Sequence, residues 1–135
     1  MLVLMAGLVA ASIYFAATIQ RAGKSVVAVA APDGKYKAVR LTISGQTPEP
    51  FCVDTIAIFL SVYPDSFVVS DSNYTVFTAT CAVPEKRDAL PKIEWIDNNS
   101  VRITYAPEAT ASAKPPRLKE RDMSLFVDIK YVKAD

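Results

Sequence analysis

Hydrophobic and polar positions alternate with a period of two over most of the chain, the pattern of strands that turn one face to a core. In residues 35–44, Val39, Leu41 and Ile43 alternate with Ala38, Arg40 and Thr42, which predicts a strand with one wet face. Gly45 and the two prolines before Phe51 stop it. Residues 53–63 carry Ile56, Ile58, Leu60 and Val62 on one side and Ala57, Phe59 and Tyr63 on the other, and apolar character on both faces predicts a central strand. Pro64-Asp65-Ser66 turns the chain, residues 67–69 read as a short strand, Asp71-Ser72-Asn73 turns it again, and alternation resumes over 74–81. Residues 92–96 and 101–105 flank Asp97-Asn98-Asn99-Ser100 and predict a hairpin, with Ile93 and Trp95 on the same face as Val101, Ile103 and Tyr105. In that position Trp95 is expected to be a core anchor rather than a ligand platform. A last strand is predicted over 124–132, where Leu125, Val127, Ile129 and Tyr131 alternate with Asp128 and Lys130.

No sustained helical period follows residue 25. The expected fold is therefore all-β: a small single domain, residues 31–135, built as an antiparallel sheet or β-sandwich of about six strands. The N-terminus breaks the alternation. Residues 2–19 hold only Gly7, Ser12 and Thr18 outside the apolar set. At 1.5 Å per residue they reach about 27 Å, against a hydrocarbon core of about 30 Å. A transmembrane helix over 1–20 and a tether over 21–30 are expected. The competing reading is a cleaved signal peptide ending near Ala28-Val29-Ala30, although Arg21 and Lys24 lie between the apolar run and that triplet and no basic residue precedes the run.

Composition changes the picture in three places. The 15 Lys and Arg against 14 Asp and Glu leave a net charge of +1, which offers no electrostatic attraction for nucleic acid. There is no histidine, which excludes the histidine-based catalytic triads and imidazole zinc sites. Cys52 and Cys81 are the two cysteines, the number one disulfide needs, and a disulfide places the domain in an oxidising compartment. Two unpaired buried thiols are the alternative. Arg21, Lys24, Lys35 and Lys37 follow the apolar run and favour a cytoplasmic domain by the positive-inside rule, so the two signals conflict. The disulfide reading is preferred, with the domain outside the cytoplasm.

Pro32-Asp33-Gly34-Lys35-Tyr36-Lys37-Ala38-Val39, together with Ile93-Glu94-Trp95-Ile96-Asp97-Asn98-Asn99-Ser100-Val101-Arg102-Ile103-Thr104-Tyr105, resembles a group of small uncharacterised bacterial proteins. These have an N-terminal membrane anchor, an opening strand of this kind, and a tryptophan strand leading into a hairpin. The resemblance implies a bacterial protein with a membrane anchor and brings no activity; together with the disulfide reading, the expected location is the bacterial inner membrane with the β-domain in the periplasm, the cytoplasmic orientation being the alternative. The same two pieces resemble one blade of a β-propeller, but a propeller needs at least four blades and the chain has no internal repeat.

Candidate chemistry is sparse. Glu49, Asp54, Asp65 and Asp71 fall in or beside predicted loops and could form a general acid and base only if folding paired them. Asp71-Ser72-Asn73 lacks the further oxygen ligands of a calcium loop. No catalytic residue, cofactor or metal ligand is expected. The segment 106–122 joins two strands with almost no large apolar side chain, and its Lys114, Arg117, Lys119 and Arg121 make a basic candidate surface for a protein partner. The expected function is a non-catalytic, membrane-anchored, extracytoplasmic protein-binding domain, such as an immunity or inhibitor protein or an accessory subunit of an envelope complex. The alternatives are a small carboxylate-dependent hydrolase and a structural membrane subunit packed through Ala6, Ala10 and Ala17.

Overall fold

A computed structural model describes residues 23–46, 49–87, 89–106 and 116–134. The predicted transmembrane segment lies outside these residues. Among the described residues no helix is long and apolar enough to cross a membrane.

The fold is all-β, as the alternation predicts. Strands β1 (Lys24–Ala30), β2 (Tyr36–Gly45), β3 (Phe51–Leu60), β4 (Thr75–Thr80) and β7 (Arg117–Leu118) form a five-stranded sheet in the order β1-β2-β3-β4-β7. Strands β5 (Lys92–Asp97), β6 (Ser100–Tyr105) and β8 (Asp128–Lys133) form a second sheet in the order β5-β6-β8. The pairing is antiparallel except between β6 and β8, which run parallel, so the expected antiparallel arrangement holds for every pair but the last.

The central strand is where the two-sided apolar pattern puts it. On one face of β3, Ile56 and Ile58 pack with Ala38, Val76, Phe77, Val101, Ile103 and Val127 between the sheets. On the other, Ala57 and Phe59 pack with Val39, Leu41 and Val68 under a short helix α1 (Phe67–Ser70). The strand ends at Leu60, and Val62 stands in solvent instead of on the inner face.

Four further expectations are corrected. Residues 24–30 are a strand and not a tether: β1 pairs with β2 over its whole length, and the indole Nε1 of Trp95 donates to the Val29 carbonyl at 2.8 Å, tying this edge to the second sheet. Residues 67–69 are helical because Phe67 and Val68 close over Phe59 and Tyr74, and packing outweighs the β preference of Phe-Val-Val. The last strand starts at Asp128 rather than at residue 124. The face of β2 expected to be wet carries Arg40 and Thr42 inward to the buried carboxylate of Asp54.

The hairpin is confirmed, with Ile93 opposite Ile103 and Trp95 opposite Val101. Its turn also ties the molecule together. Asn98 Oδ1 accepts from the Asp33 backbone at 2.9 Å, Asn99 Nδ2 donates to the Phe126 carbonyl at 3.3 Å, and the Asn99 carbonyl accepts from Asp128 N at 2.9 Å. The turns at 32–35 and 97–100 and the loop at 122–127 thus meet at one end of the sandwich. At the other end Cys52 and Cys81, at the ends of β3 and β4, are joined with Cα atoms 5.3 Å apart, in agreement with the disulfide reading.

Candidate functional site

Of the four carboxylates weighed as a possible acid and base, Asp54 and Asp65 are separated by the register. Asp54 faces Thr42 near one end of the sheet, whereas Asp65 follows β3 past Leu60, which faces Tyr36 at the other end. Asp54 lies on the central strand itself, only 1% exposed, where its Oδ1 accepts from Thr42 Oγ1 at 2.5 Å and from Arg40 Nε at 3.2 Å. Arg40 then donates to the carbonyls of Arg87, Leu90 and Pro91, so the pair fastens the connection before β5 to the first sheet. Asp65 pairs with Lys37 at 2.7 Å. Asp71 accepts from Asn73 N at 3.0 Å and caps the turn Ser72–Tyr74, the work its Asx-turn pattern suits. Glu49 is exposed.

Of the basic partner surface, Lys114 lies outside the described residues, and Arg117, Lys119 and Arg121 fall on a strap of residues 116–121. The strap is not a structureless loop. Leu118 faces Phe77 and Arg117 faces Thr78 in β7, and Lys119 N donates to the Val76 carbonyl at 2.8 Å. The Tyr131 hydroxyl lies between the carbonyls of Lys119 at 2.6 Å and Val76 at 2.8 Å, which pins the strap to both sheets. Burial raises the Tyr131 phenol well above its ordinary value. The three basic side chains are exposed, and Arg121 pairs with Asp128 at 3.3 Å.

The strap runs directly into the loop 122–127. Asp122, 3% exposed, holds that loop from within: its Oδ2 accepts from Ser124 Oγ at 2.5 Å and from Ser124 N at 3.2 Å, and its Oδ1 from Val127 N at 3.0 Å. Three donors on one buried carboxylate fix the backbone and force Leu125 to a φ of 67°, a left-handed conformation rare for leucine. The fixed loop presents Met123, Leu125 and Phe126 to solvent at 56%, 65% and 70% exposure. Beside them a cleft of about 400 Å³ is lined by Lys35, Tyr36, Leu60 and Tyr63 as well as by Met123 and Phe126. These apolar residues escape the sequence reading because Leu125 and Val127 continue the alternation of β8. The signal that could have found them is Asp122-Met123-Ser124, an Asx turn that interrupts a strand.

No family model, curated protein or solved structure matches the chain.

Proposed function

We propose that the chain is a non-catalytic, membrane-anchored, extracytoplasmic domain that binds a protein partner through the strap 116–121 and the adjoining loop 122–127. The observation that carries this reading is the rigid display of Met123, Leu125 and Phe126 by buried Asp122. Large side chains held in solvent by a backbone that cannot fold them away are costly for a free domain and suited to an apolar pocket on a partner. Arg117 and Lys119, on the strap that runs into the loop, favour a partner surface with acidic residues, since rim charges steer encounter. The joined Cys52 and Cys81 support an oxidising compartment. An immunity or inhibitor protein, or an accessory subunit of an envelope complex, fits this description. A carboxylate-dependent hydrolase fits it less well, because Asp54, Asp65 and Asp71 are each engaged within the fold.

The test places a photo-cross-linking residue at Phe126 in the full chain, in native membranes, with the same residue at Arg102 on the exposed side of β6 as control. A discrete adduct from position 126 that is absent from position 102, and that weakens when Arg117 and Lys119 are changed to Glu, is the expected result. Equal labelling from both positions would remove the loop from the binding surface.

A further inference from the structure

A second exposed apolar surface lies at the opposite end of the first sheet from the loop 122–127, where β1 begins. Lys24 faces Ile43, Ile43 faces Val53, and Gly45 faces Phe51, so these residues are neighbours across three strands. Val26, facing Leu41, stands on the same side of the sheet. This is the side that α1 covers further along, over Val39 and Phe59, but α1 does not extend to the end, and Val26, Ile43, Phe51 and Val53 are all exposed. The Phe51 ring lies across Gly45, where a Cβ would meet it at 2.5 Å, so the ring is laid flat along the sheet.

The position of this surface in the chain says what covers it. Ile19, the last residue of the apolar N-terminal run, precedes Lys24 by five residues, and five extended residues span at most about 18 Å. The polar headgroup region takes up about 5–7 Å of that reach. A domain held this closely must rest the start of β1, and whatever lies beside it, on or near the lipid. Charge agrees. Lys24 borders the apolar surface, and exposed Arg87 lines a cleft with Phe51 and Gly45. Long basic side chains around an apolar surface suit the level of anionic headgroups.

We propose that Val26, Ile43, Phe51 and Val53 rest in the interfacial layer of the membrane that anchors the chain, with Lys24 and Arg87 among its anionic headgroups. This rests on the anchored reading above. The contact orients the domain. β2 is ten residues long and spans about 30 Å between its ends, so the loop 122–127, which meets Tyr36 at the far end, is held away from the lipid contact.

The experiment uses the full chain reconstituted in phosphatidylcholine and phosphatidylglycerol vesicles that carry a shallow lipid-borne fluorescence quencher. Phe51→Trp and, as a second reporter on the same surface, Ile43→Trp are compared with Val62→Trp at the far end and with the parent, whose single tryptophan is Trp95. The expected result is at least about twofold stronger quenching at positions 51 and 43 than at 62, together with a blue shift. Chains that resist alkaline carbonate extraction but are quenched no more at 51 and 43 than at 62 would overturn the lipid contact and leave the anchor standing. A chain released by carbonate overturns the anchor, and the lipid contact with it. Unquenched reporters combined with a cross-linked dimer through position 51 would assign the surface to a second copy of the chain and overturn the proposal.

Discussion

Arg40 and Asp54 meet diagonally across β2 and β3 with Nε 3.2 Å from Oδ1, and the guanidinium carries the same contact on to three carbonyls before β5. Removing one partner leaves the other charged and buried. Arg40→Met is expected to cost about 3–5 kcal/mol, and the double change Arg40→Met with Asp54→Leu clearly less, because it strands no charge. Urea unfolding of the full chain in detergent measures both. A double variant as unstable as the single one would show that the carbonyl contacts, not the charges, carry the stability.

Leu125 predicts a conflict between stability and binding. Its left-handed backbone costs about 1–2 kcal/mol that glycine does not incur, partly offset by the greater freedom of an unfolded glycine. Leu125→Gly should therefore raise stability by about 0.5–1 kcal/mol while weakening the Phe126 cross-link. Lower stability would mean that the exposed side chain packs in the free domain.

Trp95 separates into two contributions. Trp95→Phe keeps most of the packing and loses the bond to the Val29 carbonyl, for about 1 kcal/mol, whereas Trp95→Ala should cost about 3–5 kcal/mol. Hydrogen exchange should quicken in β1 first, since the indole joins that edge to the second sheet.

The disulfide closes a loop between residues 29 positions apart, worth about 3 kcal/mol through the unfolded state. Replacing both cysteines by Ala should lower stability by about that amount. Thiol labelling in native membranes should find no free thiol before reduction; two labelled thiols would return the domain to the cytoplasm, as the basic residues after the apolar run suggest.

Tyr131 sets an alkaline limit. Its phenol is raised by burial, so the folded chain keeps the proton that the unfolded chain loses near pH 10. The stabilisation is complete below that pH and declines as pH climbs toward the folded value. Tyr131→Phe should be about 1–2 kcal/mol less stable at neutral pH, because the Lys119 carbonyl loses the hydroxyl while that of Val76 keeps Lys119 N, and the gap to the parent should narrow above about pH 10. A gap that stays constant above about pH 10 would mean that burial does not raise the phenol in the folded chain.

What was legible in the sequence was whatever periodicity, turn residues and the cysteine count decide. The hairpin around Asn98, the central strand and the cysteine pair are where the pattern puts them. The strand at 24–30 was hidden because an edge strand is held by its backbone and by a distant indole, neither of which marks its own residues. Arg40 and Thr42 looked solvated because polar residues usually face water, and nothing in their spacing reveals Asp54 fourteen positions after Arg40. The loop 122–127 kept the alternation of a strand while Asp122 took the backbone donors that a strand would need. Both misreadings of the site come from a buried carboxylate, which a hydropathy pattern scores as surface.

The parallel pairing of β6 with β8 also sets an order of events as the chain folds. β5 and β6 are joined by a short turn and can form as soon as both have been made. Val101 and Ile103, however, receive Ile129 and Tyr131 as neighbours only after the strap and the loop 122–127 have carried the chain back across the sandwich. Local pairing is fast and distant parallel pairing slow. The second sheet therefore stays open on one side of β6 until residues 128–133 have returned to it.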